Sequence, residues 1–242
     1  MNTKKDNGTL YLIPTKLGSS TYERVFPEYN RDIILGIKNF IVEDIRSARR
    51  FLKSLNYPGN FDDVVFQDLN KHTKEEDTHT YLNSIVQSND IGLLSEAGVP
   101  CLADPGNVIV KQAHERGYKV VPLIGPSSII LALIASGFNG QNFSFLGYLP
   151  VKLHERNKRI KEIDSDARRT GQTKIFIETP YRNQQLFNAL ISNCQPDSML
   201  CIASNITLDT EFIASKSIAK WKKTPPNLQK KPTVFLISKL MM

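Results

Sequence analysis

The chain has 242 residues, 40% hydrophobic and 23% charged, enough for one large domain or two small ones. Its apolar runs are broken by Gly, Pro or charge short of spanning length, and the opening MNTKKDNGTLYLIP has no apolar signal core, so neither a membrane span nor a secretory signal is expected. The net charge of +7 is unevenly held: residues 1–147 carry 15 Lys+Arg against 16 Asp+Glu, and residues 148–242 carry 16 against 8. The second part therefore has the footprint of a polyanion binder, or of a soluble face that is merely basic. Cys101, Cys194 and Cys201 have no metal-like spacing and fit free, apolar thiols in a reducing cytoplasm.

Taken in order, residues 1–8 are polar and expected to fray, and LYLIP (10–14) reads as a buried first strand. TKLGSS makes a turn in which Ser19, Ser20 or Thr21 could cap a helix that starts or restarts at Pro27. NFIVE (39–43) is a second strand. DIRSARRFLKSL (44–55) follows as a helix whose apolar face is Ile45, Ala48, Phe51, Leu52 and Leu55. Arg46, Arg49, Arg50 and Lys53 recur at the same spacings as a basic stripe, either a solvated face or a phosphate-contacting ridge. DVVFQ (63–67) is a third strand, and Thr73 or Thr78 is expected to cap a helix through Val86.

IGLLS, a helix over 107–116, KVVPL and a helix over 127–136 continue the alternation, which predicts βαβ units and a parallel sheet. The texture then changes. FNGQNFSFLGYLP is rich in breaks and aromatics, and a domain boundary is expected there, giving 1–147 and 148–242. Beyond it lie a basic helix, a strand over 174–178, the helix YRNQQLFNALISN, strands in SMLCIAS and ITLDTEFIAS, a helical turn IAKWKK and a last strand TVFLISK.

Common phosphate and metal signatures are missing: there is no GxxxxGK[ST], no GxGxxG after the first strand, no HExxH, no paired CxxC and no GxSxG. His72 and His79 lie seven apart and are expected to face solvent. The two Gly/Pro/Ser-rich turns SEAGVPCLADPG and IGPSS stand out. Each follows an apolar strand, where open parallel sheets bind ligands.

Those turns, in order with PTKLGS, VEDIR, QDLNK, ALIASG, GYLP and ETPYR, span nearly the whole chain. This succession resembles the tetrapyrrole-methylase superfamily of S-adenosylmethionine-dependent methyltransferases. Within it, the chain is most similar to the ribosomal RNA small-subunit methyltransferase I family, which methylates a ribose 2′-hydroxyl. The resemblance implies two α/β domains, the first with a mainly parallel Rossmann-like sheet and the second with a mixed sheet, and a cofactor cleft between them. It further implies S-adenosylmethionine as cofactor, small-subunit ribosomal RNA as partner, a homodimer, a cytoplasmic location and no metal. Carried over by motif, the cofactor-binding residues are Leu17, Glu96, Ala97, Gly98, Val99, Pro100, Leu102, Ser127 and Ser128. Loops of small residues suit this cofactor, because no side chain stands between it and the backbone amides.

On the acceptor side, Asp44 and Arg46 match the family's AEDTR segment, Asn70 its HxHNE element, and Glu178 and Arg182 its E-S-x-H-R. A ribose hydroxyl needs a proton acceptor or an orienting carboxylate. Glu178 is the first candidate and Asp44 the second; either could instead serve a helix end or a salt bridge. The departures lie mainly on this side: Lys71 replaces the Glu after Asn70, Gln67 and Leu69 replace two histidines, and an R-E-L-T-K pattern is reduced to SNITL (204–208), while in the cofactor loop Glu96 replaces the Asp of S-D-A-G-T-P. They leave open a tetrapyrrole or other polyanionic acceptor, or a non-catalytic RNA-binding relative.

Overall fold

The computed structural model describes residues 7–18, 21–70 and 72–239. The chain divides into two compact units, Met1–Ser127 and Ser128–Met242. The division falls ahead of the texture change at Tyr148 because the helix α4 (Ser128–Ser136) packs on strands of the second sheet.

In the first unit, β1 (Thr9–Ile13), β2 (Asn39–Val42), β3 (Val65–Asp68), β4 (Ile91–Leu94) and β5 (Lys119–Pro122) form a parallel sheet in the order β3-β2-β4-β1-β5. α1 (Glu28–Gly36) and α2 (Ile45–Ser54) cover one face, where Ile34, Ile37, Ala48, Phe51 and Leu52 meet Ile13, Phe40 and Leu94. α3 (Asn107–Glu115) contributes Ile109 and Ala113 to a separate core with Leu10, Ile41, Ile91 and Leu93. Both sides are dry, which is why the strands read as unbroken apolar runs.

Three expectations in this unit need correction or limits. The helix expected through Val86 is two short 3-10 segments, Glu75–Thr80 and Asn83–Gln87. Only Thr78, Leu82 and Ile85 turn inward there, and the Thr, Ser and Asn side chains compete for the backbone, so no continuous α-helix is favoured. The helix after the first strand begins at Glu28 with Pro27 in the cap position, so Thr21 caps nothing; Ser19 and Ser20 lie outside the described residues. Of the stretch expected to fray, 1–6 lies outside the described residues, while Gly8 is buried and its N–H donates to the Ile85 carbonyl at 3.0 Å.

In the second unit, β6 (Phe143–Tyr148), β7 (Thr173–Ile177), β8 (Met199–Ser204), β9 (Phe212–Ser217) and β10 (Thr233–Ser238) form a mixed sheet, β6-β7-β10-β8-β9. Only the β6–β7 pair is parallel. α5 (Leu153–Thr170), α6 (Asn183–Asn193) and α7 (Ile218–Lys223) bury Ile160, Ile163, Leu186, Phe187, Leu190 and Trp221 against Phe176 and Phe235.

β6 lies in the segment of breaks and aromatics where a domain boundary is expected. It is an edge strand with a register shift between Phe145 and Tyr148, where Gly147 has φ +67°, and an edge tolerates the breaks that hid it. Of ITLDTEFIAS only Phe212–Ser217 is strand. Asn205 and Thr207 are left-handed, and successive turns bond Leu208 N–H to Asn205 and Glu211 N–H to Leu208.

Candidate functional site

β1 and β4 are neighbours, yet the chain leaves β1 toward β2 on one side and β4 toward β5 on the other. Loops diverge at such a point and open a crevice beyond the strand ends. Here they are also tied together. Thr15 and Gly98 exchange backbone hydrogen bonds of 2.9 and 3.2 Å, the Thr15 hydroxyl donates to the Ser95 carbonyl at 3.1 Å, and the Ser95 hydroxyl donates to the Gly98 carbonyl.

Gly98 sits at φ +79°, and a Cβ there would stand 3.1 Å from both Leu17 Cδ2 and the Pro126 carbonyl. The loops after β1, β4 and β5 therefore meet at one bare Cα, which only glycine supplies without strain. Further along the β4 loop, Cys101 and Ala103 have positive φ. Asp104 Oδ1 fixes this backbone by accepting the Cys101 and Gly106 N–H groups, both at 2.8 Å.

A pocket of about 340 Å³ opens beside these loops, within the range of small-molecule sites. Leu17, Glu96 and Ala97 line it, together with Asp44. Gly98, Val99, Pro100 and Leu102 belong to the same β4 loop without lining the pocket, and Ser127 and Ser128, both half-buried, follow the β5 loop outside it. Glu43, Ser47 and Arg50 also line it; sequence places Arg50 in the basic stripe and gives Glu43 and Ser47 no site role. Glu43 had been read as the end of a strand and the opening of a helix. Burial pushes its carboxyl up to about 7, with Asp104 and then Glu96 adding to the shift.

Asp44 has a different task. As the N-cap of α2 it accepts the Ser47 N–H at 2.7 Å, and that bond above all holds its carboxyl below the usual range. Arg46 is exposed in the first turn of the same helix. Asn70 lies away from the pocket, with Oδ1 accepting the His72 N–H at 2.9 Å. Leu69 is core, so the position where the resembled family has a histidine is apolar.

In the second unit, Glu178 follows the last residue of β7 and its side chain is fully buried. Three donors converge on Oε1: the Thr179 N–H at 2.7 Å, Arg182 Nε at 3.0 Å and Arg182 Nη2 at 2.8 Å. Oε2 is buried with no partner. Ile177 pairs with Val234 and Thr233 with Ser204, so the segments after β7 and β8 leave the sheet at one edge. The Thr207 hydroxyl, after β8, and Asn183 Oδ1, at the start of α6, are likewise buried and unpartnered. An unpaired buried polar group costs on the order of 1–3 kcal/mol, and these three atoms carry that cost in the segments that follow β7 and β8. Thr207 was not singled out from sequence, although it is the Thr retained in SNITL.

Among the described residues, no group of three side chains is gathered as a metal site, and no helix is long and apolar enough to cross a membrane.

No family model matches the chain. Curated proteins do. It is 29% identical over 233 residues to the ribosomal RNA small subunit methyltransferase I of Vibrio cholerae, covering 94% of this chain and 76% of that one. The Buchnera aphidicola protein of the same name, from Schizaphis graminum, is 29% identical over 243 residues, covering 98% and 80%. That of Bacillus subtilis is 30% identical over 192 residues, covering 78% and 61%. Among solved structures, the methyltransferase CobJ matches with a TM-score of 0.63 at 13% identity, over 96% of this chain and 94% of that one. At that identity the likeness is one of fold.

Proposed function

Since the chain is a methyltransferase and a divergent relative of the ribosomal RNA small subunit methyltransferase I proteins, we propose that it transfers a methyl group from S-adenosylmethionine to a ribose 2′-hydroxyl of ribosomal RNA. A cytoplasmic, homodimeric enzyme goes with this reading. The donor supplies an electrophilic methyl on a sulfonium.

The loops after β1, β4 and β5 hold the donor in this reading, and their chemistry fits it. Glu43 and Glu96 offer carboxylates to its cationic groups, Leu17 and Ala97 offer apolar surface, and buried Gly98 braces the three loops behind them. Asp44 and Ser47 fix the start of α2 beside them. Positioning supplies most of the rate in such a transfer.

The observation that carries the acceptor is the lopsided bonding of Glu178. Oε1 is held by Thr179 and Arg182, which orients the carboxylate, while Oε2 has a vacant lone pair in a buried position. A ribose hydroxyl donates there. In this reading Oε2 would take the hydroxyl proton released as the ribose oxygen gains the methyl and the donor leaves as a neutral thioether. Thr207 supplies a further polar contact to the sugar at the same edge of the sheet.

Labelled S-adenosylmethionine incubated with small-subunit ribosomal RNA tests this. Label is expected in an alkali-resistant dinucleotide, the mark of a 2′-O-methylated ribose. Label in the base fraction would move the acceptor atom. Transfer to a tetrapyrrole precursor instead of RNA would replace the acceptor class.

A further inference from the structure

We infer that the basic stripe of α2, in the first unit, is a track for the phosphate backbone of an RNA strand; this rests on the RNA acceptor proposed above. Arg46, Arg49, Arg50 and Lys53 lie three, four and seven residues apart, so they form one exposed row about 10 Å long. Like charges at these spacings repel, and Arg46 adds a cation to the first turn, at the positive end of the helix dipole.

None of the four makes an ion pair among the described residues. The nearest carboxylate in sequence, Asp44, is committed to the Ser47 N–H, and Arg50 Nη2 donates only to the Ser47 hydroxyl at 3.0 Å. The charge-rich second unit is different. On α5, Arg159 pairs with Glu162 at 3.2 Å and Arg168 with Asp197 at 2.6 Å, while Lys152, just ahead of it, pairs with Glu155 at 3.3 Å. The lysines of α7 sit in its last turn, where the dipole favours them. On α5, Lys158 and Lys161 also lack ion pairs among the described residues, but they lie beyond the first turn, and Arg156 is buried; on α2, repulsion, an unfavourable end and missing ion pairs fall on one exposed row.

The stripe is also held in place. The Arg49 guanidinium lies 5.4 Å from the Phe66 ring centre and 5.9 Å from that of Phe61, and Lys53 Nζ lies 5.9 Å from Phe61. Phe61 stacks in turn on Tyr57 at 5.8 Å, and Phe66 on Phe40 at 5.9 Å. A guanidinium held over ring faces by cation–π attraction keeps its charge and its N–H donors for a phosphate. Because cations already cover the rings, the surface offers charge and fixed donors rather than faces for base stacking. That favours the backbone of a nucleic acid over its bases. Arg50 lines the pocket beside the β1 and β4 loops, so the row starts at its rim.

The test uses the full chain, a small-subunit ribosomal RNA fragment and a double variant, Arg49→Gln with Lys53→Gln, at positions that do not line the pocket. RNA affinity is measured from about 50 to 300 mM salt. The log–log slope is expected to fall by about 1.4, two single-strand contacts at about 0.7 each. Donor affinity and transfer at saturating RNA should be unchanged. The charge-keeping pair Arg49→Lys with Lys53→Arg should restore most of the slope, which separates charge from packing of the rings. A double variant that folds, by its melting curve, and keeps the wild-type slope overturns the track and leaves the RNA acceptor standing. Wild-type protein without salt-dependent RNA binding overturns both.

Discussion

Two strand-to-helix junctions, β2 into α2 and β7 into α6, are built from the same kinds of residue and offer opposite chemistry. Each places an acid after the strand and an arginine a few residues on: Asp44 with Arg46, and Glu178 with Arg182. At the first, the acid is spent on the helix cap and the arginine goes unpaired to the surface. At the second, arginine and acid bind each other, and the capacity left over is one buried carboxylate oxygen. Residue type alone does not reveal which partner remains free. The arrangement of N–H donors does: at α2 the carboxylate meets a backbone amide first, and at β7 three donors crowd one oxygen and leave the other bare.

The largest expected effect probes that bare oxygen. Glu178→Gln should lower methyl transfer at least 10²-fold, the usual worth of a positioned base, with donor affinity unchanged. Activity within threefold of wild type would remove Glu178 from the chemistry and erase the contrast. Gly98→Ala comes next. The left-handed φ and the 3.1 Å approaches of Leu17 and Pro126 should cost about 1–3 kcal/mol in urea unfolding and weaken S-adenosylmethionine binding in calorimetry. A variant as stable as wild type would mean that the three loops are not braced at this point.

Glu43 gives a smaller, pH-dependent effect. Its carboxyl titrates at about 7 in the fold against 4.5 as its ordinary value, so the unfolded chain loses the proton first as pH rises. Its contribution to stability is full below 4.5 and is lost as pH rises through 7. Glu43→Gln should therefore flatten the stability profile between pH 5 and 8 and gain on the order of 1 kcal/mol at pH 8, because a half-buried group is screened by water. Equal slopes for the two proteins would place the group in water. The smallest effect belongs to Asp44. Asn caps a helix as well as Asp, so Asp44→Asn should change stability by a few tenths of a kcal/mol and leave transfer intact, whereas Asp44→Ala should cost about 1 kcal/mol. A large loss of transfer in Asp44→Asn would give the two junctions equal claims to the base.

Much of this was legible in the sequence, and for physical reasons. Strands buried on both faces must be apolar throughout, so β1, β2, β4 and β10 stand out as runs such as IGLL and TVFLIS. The loops after β1, β4 and β5 are recognisable because only Gly, Pro and small residues satisfy their tight approaches. What sequence concealed lies at edges and in partnerships. The edge strand β6 carries Gly147 where its register shifts, and so shows as a break and not as a strand. The 78–85 segment has inward residues at spacings shared by two kinds of helix. Glu43 looked like a strand end because what shifts its acidity, burial first and then Asp104 and Glu96, comes from residues distant in sequence. Net charge was a partial guide: formal excess lies in residues 148–242, and the row on α2 stands in a part of the chain whose charges balance, because pairing depends on neighbours that composition does not count.

The three thiols have a practical use that follows from their burial. Burial of Cys194 and Cys201 and partial burial of Cys101 raise all three thiols, Cys101 to about 12 and Cys201 to about 11, so the thiolate that alkylating reagents attack is scarce while the protein is folded. Cys101 lies in the β4 loop of the first unit, and Cys194 and Cys201 lie in the second. Timed alkylation followed by peptide mass spectrometry thus provides two built-in clocks. One reports the opening of the donor loop and the other the opening of the second unit, without any introduced label. S-adenosylmethionine should slow the first clock.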